Sequence, residues 1–121
     1  MIAAAFLLAA ATTDPISGTW EGTSLCQVRP SPCHDEHVIY RFIQSGGGRY
    51  KLDAYKVVNG QELFMGAMDL AFESARNELH GTITGRRGSS EIQLMLKSNH
   101  LSGRMTLSDG TLFRLIEVTK H

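Results

Sequence analysis

The chain has 121 residues, and its 12 Lys+Arg balance its 12 Asp+Glu for a formal net charge of zero. That length accommodates one domain, and the balanced charge argues against a nucleic-acid binder or a polybasic membrane-surface protein. At 42% hydrophobic residues, the composition is that of a folded chain rather than a disordered one.

Met1 to Thr13 reads MIAAAFLLAAATT. The apolar run from Ile2 to Ala11 suits the hydrophobic region of a signal peptide and is too short to cross a bilayer, which takes about 20 residues. Ala9 and Ala11 supply a small-x-small pattern for cleavage, and Asp14-Pro15 opens the expected mature chain. No Lys or Arg precedes the run, so the amino terminus is its only positive charge. Residues 1–13 are therefore read as a signal peptide and residues 14–121 as one domain. The protein is expected to be periplasmic or secreted, with no membrane span in the mature chain.

Cys26 and Cys33 enclose QVRPSP. An even cysteine count in an exported domain reads as a disulfide, and closing a loop of about eight residues stabilises by roughly 2–3 kcal/mol. The spacing is not C-x-x-C, which argues against a redox motif or a zinc knuckle.

Short alternating runs broken by turn residues fill the rest of the chain, the pattern of a small all-β domain. Thr19–Leu25 places Trp20, Gly22 and Ser24 on one face. His37–Gln44 is rich in β-branched and aromatic residues, and Ser45-Gly46-Gly47-Gly48 ends it. Arg49–Val57 alternates Tyr50, Leu52 and Ala54 against Lys51, Asp53 and Tyr55. Asn59-Gly60 is a strong hairpin signal. Glu62–Glu73 aligns Phe64, Met68, Leu70 and Phe72, with Gly66 marking a bend or bulge on that face. Glu73 to Arg76 is read as a turn. Glu78–Thr84, Glu91–Lys97, Leu101–Leu107 and Thr111–Thr119 complete eight strands. Short connections imply antiparallel neighbours. The expected fold is all-β, an antiparallel eight-stranded up-and-down barrel, since closure removes exposed edges.

Ser17-Gly18-Thr19-Trp20 at the first strand, with the eight-strand count, resembles the lipocalin-like (calycin) barrels. The resemblance implies that Trp20 plugs the closed end and that an arginine of the last strand packs across it. Arg114 matches, being in phase with Leu112, Ile116 and Val118; a desolvated cation–π contact contributes about 2 kcal/mol. The stretches GTWEGTSLCQVRPSPCHDE, NGQELFMG and SDGTLFR also resemble small exported bacterial proteins, a family that implies no particular activity.

Three functional readings follow. The first is a binding module for a small apolar ligand or an exported partner protein, with Tyr40, Phe42, Tyr50, Phe64, Met68 and Phe72 as candidate pocket lining. An internal void of about 300 Å³ or more supports it, and a barrel filled by Trp20, Tyr40, Phe42, Phe64 and Leu94 opposes it. The second is a protease-inhibitor-like barrel acting through its N-terminal segment, for which only Asp14–Ser17 is available. The third is a metal site at Cys33-His34-Asp35-Glu36-His37, with His34 and His37, joined by Asp35 or Glu36, as zinc or copper ligands. An extended backbone points residues 34 and 37 to opposite faces, so convergence needs a turn. Asp35 or His34 hydrogen-bonding to loop amides is the plainer role. No G-x-S-x-G motif or phosphate-binding glycine loop is present, and the chain is expected to be neither an enzyme nor cofactor-dependent.

Overall fold

A computed structural model describes residues 14–29, 32–85 and 88–121. The proposed signal peptide, Pro30-Ser31 and Arg86-Arg87 lie outside the described residues.

The eight strands are β1 (Gly18–Cys26), β2 (Glu36–Gly46), β3 (Arg49–Val58), β4 (Gln61–Glu73), β5 (Glu78–Gly85), β6 (Gly88–Lys97), β7 (His100–Leu107) and β8 (Leu112–Lys120). Each pairs antiparallel with its neighbours in the chain, and β8 returns to β1 to close the barrel. No helix occurs among the described residues. This is the closed, antiparallel up-and-down architecture expected from the alternation. Asn59 and Gly60 both take positive φ, 52° and 77°, as a two-residue hairpin turn of this sequence requires.

One end of the barrel is plugged. Ile16, Trp20, Leu52, Leu70, Leu79, Leu94 and Leu101 are fully buried. Trp20 meets Phe42 edge-on at 6.3 Å between ring centroids, and its Nε1 donates to the Ile16 carbonyl at 2.8 Å. Asp14 ties this N-terminal segment down: Oδ1 accepts from the Ile16 and Ser17 amides at 2.9 and 3.1 Å and from the Tyr50 hydroxyl at 2.6 Å, and Oδ2 accepts from the Ser17 hydroxyl.

Inward-facing glycines let the wall coil tightly. A Cβ at Gly103 would lie 1.8 Å from the Gln93 carbonyl oxygen, and one at Gly22 would lie 1.9 Å from that of Glu117. Strands β6 and β8 therefore pass directly over Gly103 and Gly22, and no other residue fits there.

Three irregularities shape the other end, one of them the register shift beside Met105 and Arg114 in the β7–β8 ladder. In the β3–β4 ladder Ala54 faces Gly66 but Tyr55 faces Phe64, so Met65 is an extra residue. Gly66, with φ of 149°, carries this β-bulge, a conformation that L side chains rarely adopt. The third is the β4–β5 seam. It has only three partner pairs, Ala71 with His80, Phe72 with Leu79 and Glu73 with Glu78. Below them the strands diverge, leaving β4 from Gln61 to Leu70 without β5 partners.

The bulge overturns one expectation. Phe64 was placed on the inner face with Met68, Leu70 and Phe72. It is instead 60% exposed and packs outside against Tyr55, with ring centroids 5.4 Å apart. One inserted residue reverses the two-residue alternation for everything beyond it.

Candidate functional site

The unplugged half of the barrel holds a cavity of about 220 Å³. Its apolar wall comes from Ala54, Met65, Met68, Ile83 and Met105, and its polar side from Ser24, Glu36, Tyr40 and Arg114. Residues on both sides of the β4–β5 gap line it. Ala67, which shares the outward phase of Asp53, is also part of the lining. The space therefore reaches through the wall at the seam.

Alternation brings the polar group together. Glu36 stands one inward step before Val38 and Tyr40 on β2, and Ser24 follows Gly22 on β1. Arg114 Nη1 donates to the Ser24 carbonyl and to Ser24 Oγ, both at 3.2 Å, and to the His34 carbonyl at 3.1 Å. It lies 3.6 Å from Glu36 Oε1, with both side chains largely buried. Tyr40 is 4% exposed. Burial raises its phenol pKa well above the usual value, Glu36 adds to the rise and Arg114 opposes it. The group is thus a hydrogen-bond donor at neutral pH and not a base.

The disulfide lies at this end, where Cys26 faces Arg114 across the β1–β8 ladder. Cys26 and Cys33 are bonded, with Cα atoms 5.9 Å apart. Asp35 Oδ1 accepts from the Cys26 amide at 2.8 Å and from Arg29 at 2.7 Å. The anticipated loop-amide role belongs to Asp35, while His34 contributes its main-chain carbonyl to Arg114.

Trp20 and Arg114 do not form the closing pair that the resemblance implied. In the β1–β8 ladder Trp20 faces Lys120 and Cys26 faces Arg114, a separation of six residues, or about 20 Å along the strand. Lys120 Nζ covers the indole at 5.7 Å from the ring centroid and donates to the Pro15 carbonyl at 3.4 Å. Arg114 packs its guanidinium over Phe113 at 5.1 Å instead. Its inward phase was read correctly, but the register placed it at the opposite end of the barrel.

The other candidate residues divide in the same way. Tyr40 and Met68 line the cavity. Phe42 and Tyr50 are buried at 2% and 3% exposure and belong to the packed half; Phe72 packs against that core, edge-on to Tyr50 at 6.5 Å. Phe64 is outside. His34 and His37 do not converge: His37 points outward from β2 and its Nε2 contacts Glu21 Oε2. Among the described residues no group of three or more His, Cys, Asp or Glu is placed to hold a metal ion. Asp14–Ser17, the segment an inhibitor-like reading would insert into a protease, is spent on plugging the barrel.

Sequence reasoning offered Glu36 only as a metal ligand and Ser24 only as an inward-facing residue, gave neither a place in the pocket, and missed the seam. Glu36 was legible as the residue in phase with Val38, Tyr40 and Phe42. The seam had a signal too, since a strand of thirteen residues cannot be fully paired by one of eight.

No protein-family model matches the chain, and no curated protein matches it by sequence. Solved structures do. A redesigned β-barrel is 15% identical with a TM-score of 0.66, the match covering 88% of this chain and 92% of that one. The siderocalin Ex-FABP, described as functioning through dual ligand specificities, is 7% identical with a TM-score of 0.42, the match covering 88% of this chain and 70% of that one. The first likeness shows a shared barrel fold.

Proposed function

We propose that the chain is an exported, non-enzymatic binding protein that holds a small apolar or amphipathic ligand in the half of the barrel its own side chains leave unfilled. The observation that carries this is the cavity of about 220 Å³ between a methionine-rich wall and a buried polar cluster. It does not reach the void of about 300 Å³ expected from the sequence, where drug-sized pockets begin, and it exceeds the about 150 Å³ that suffices for a single benzene-sized guest. The ligand is therefore on the scale of one ring or a short chain. Methionines suit such a wall because their flexible, polarisable side chains adapt to a guest. The Cys26–Cys33 disulfide fits an oxidising, extracytoplasmic compartment. A binding role also fits the polar groups, since Arg114 is committed to Ser24 and the His34 carbonyl and the Tyr40 phenol stays protonated.

The test is mass spectrometry of small molecules co-purifying with the mature protein from its native host, beside the Ile83→Trp variant, whose indole fills the cavity. An apolar compound enriched with the wild type and lost from the folded variant is expected. Wild-type protein that carries no such compound, and gives no calorimetric signal with benzene-sized probes, would end the reading.

A further inference from the structure

Resting on that reading, we infer the chemical class of the ligand's head: an uncharged hydroxyl, as on a phenol or short alcohol, and neither a carboxylate nor an ammonium group. The cavity presents opposite charges side by side, Glu36 and Arg114 at 3.6 Å. A carboxylate head attracted to Arg114 lies against Glu36, and an ammonium attracted to Glu36 lies against Arg114. In a partly buried site such like-charge contacts are poorly screened, so either charged head gains one contact at the expense of the other.

The unused hydrogen-bonding capacity points the same way. Arg114 Nη1 already has three acceptors at 3.1–3.2 Å. The Glu36 carboxylate makes no hydrogen bond to a described residue, its ionic partner Arg114 standing beyond that range. Nor does the Tyr40 hydroxyl, which lines the same cavity. No fully buried side-chain nitrogen or oxygen of the described residues lacks a partner, so these unbonded oxygens of Glu36 and Tyr40 reach open space. The Glu36 carboxylate thus offers the cavity an acceptor and the Tyr40 hydroxyl a donor. A hydroxyl is the smallest group that donates to the first and accepts from the second, and Ala54, Met68 and Met105 leave room for its apolar body.

Calorimetry at pH 7 with four probes of one shape separates the alternatives: propylbenzene, para-propylphenol, para-propylbenzoate and para-propylbenzylamine. The phenol is expected to bind about tenfold or more tighter than each of the others, as a hydrogen bond to a charged group warrants. Tyr40→Phe and Glu36→Gln are each expected to cut that preference to about threefold or less while propylbenzene binding persists. Tightest binding of the benzoate or the amine overturns the inference, as does a phenol no better than propylbenzene or a preference that survives both variants. In those cases the cavity remains a binding site of different selectivity. If none of the four binds, the proposed function falls with it.

Discussion

Lys120 Nζ lies 5.7 Å from the ring centroid of Trp20, and the two residues face each other across the β1–β8 ladder. Trp20 is the only tryptophan in the chain, so tryptophan emission reports on the surroundings of this one indole, Lys120 among them. Lys120→Met is expected to shift Trp20 fluorescence and cost about 0.5–1 kcal/mol. Arg114→Met is expected to leave the emission unchanged while costing more, about 1–3 kcal/mol, because the Ser24 and His34 carbonyls lose their donor. An emission shift in the arginine variant instead of the lysine variant would contradict this assignment.

Asp14 links acid stability to the barrel plug. Burial by itself raises the pKa of its carboxyl, but hydrogen bonds from Ser17, Tyr50 and the Ile16 and Ser17 amides outweigh it and hold the value at about 2, below the ordinary 3.8. A depressed carboxylate stabilises the fold above its unfolded pKa, and that stability is lost as pH falls from about 4 through 2. Allowing for solvent screening of this partly exposed group, the contribution is about 1–2 kcal/mol. Denaturant titrations at pH 6 and pH 2.5 should show a smaller pH difference in Tyr50→Phe than in the wild type. An equal difference would remove Asp14 as its source.

Gly103→Ala tests the close approach of β6. The added methyl would meet the Gln93 carbonyl oxygen at 1.8 Å, and main chain cannot yield as a flexible side chain would. The expected cost is about 3 kcal/mol or more, at the severe end for a single substitution. Gly60→Ala is the control: a Cβ there meets nothing within 4 Å, so its cost reflects only the positive φ, about 1 kcal/mol.

Phe64 and Leu70 share β4 but not its inner face. Phe64→Ser is expected to change stability by no more than about 1 kcal/mol, the loss of its exposed contact with Tyr55. Leu70→Ala is expected to cost about 2–5 kcal/mol through the cavity it leaves. Comparable losses in thermal unfolding would mean that the bulge at Met65 does not turn Phe64 outward.

Replacing Cys26 and Cys33 by alanine is expected to cost about 2–3 kcal/mol and to loosen the polar side of the cavity, because the Cys26 amide to Asp35 bond and the His34 carbonyl to Arg114 bond are made at or just beyond the two cysteines. Probe binding should fall more steeply than stability. Unchanged probe affinity in the folded double variant would show that the loop does not shape the site.

The amino-acid sequence by itself determined the eight strands, their turns and the inward phase of Trp20, Tyr40, Leu52, Leu94 and Arg114, because a strand alternates its faces every second residue and that period is written in the chain. Asn59-Gly60 fixed a hairpin for an equally local reason. Only the tertiary structure decided what those inward residues meet. The β1–β8 register, which no local pattern encodes, gave the Trp20 indole to Lys120 and set Arg114 beside Glu36. The bulge at Met65 sent Phe64 outside. The mismatch between a long β4 and a short β5 parted the wall and left room beside the methionines. Alternation is a property of one strand, whereas register, bulge and seam are properties of two, set by how both fit the curvature of a closed barrel.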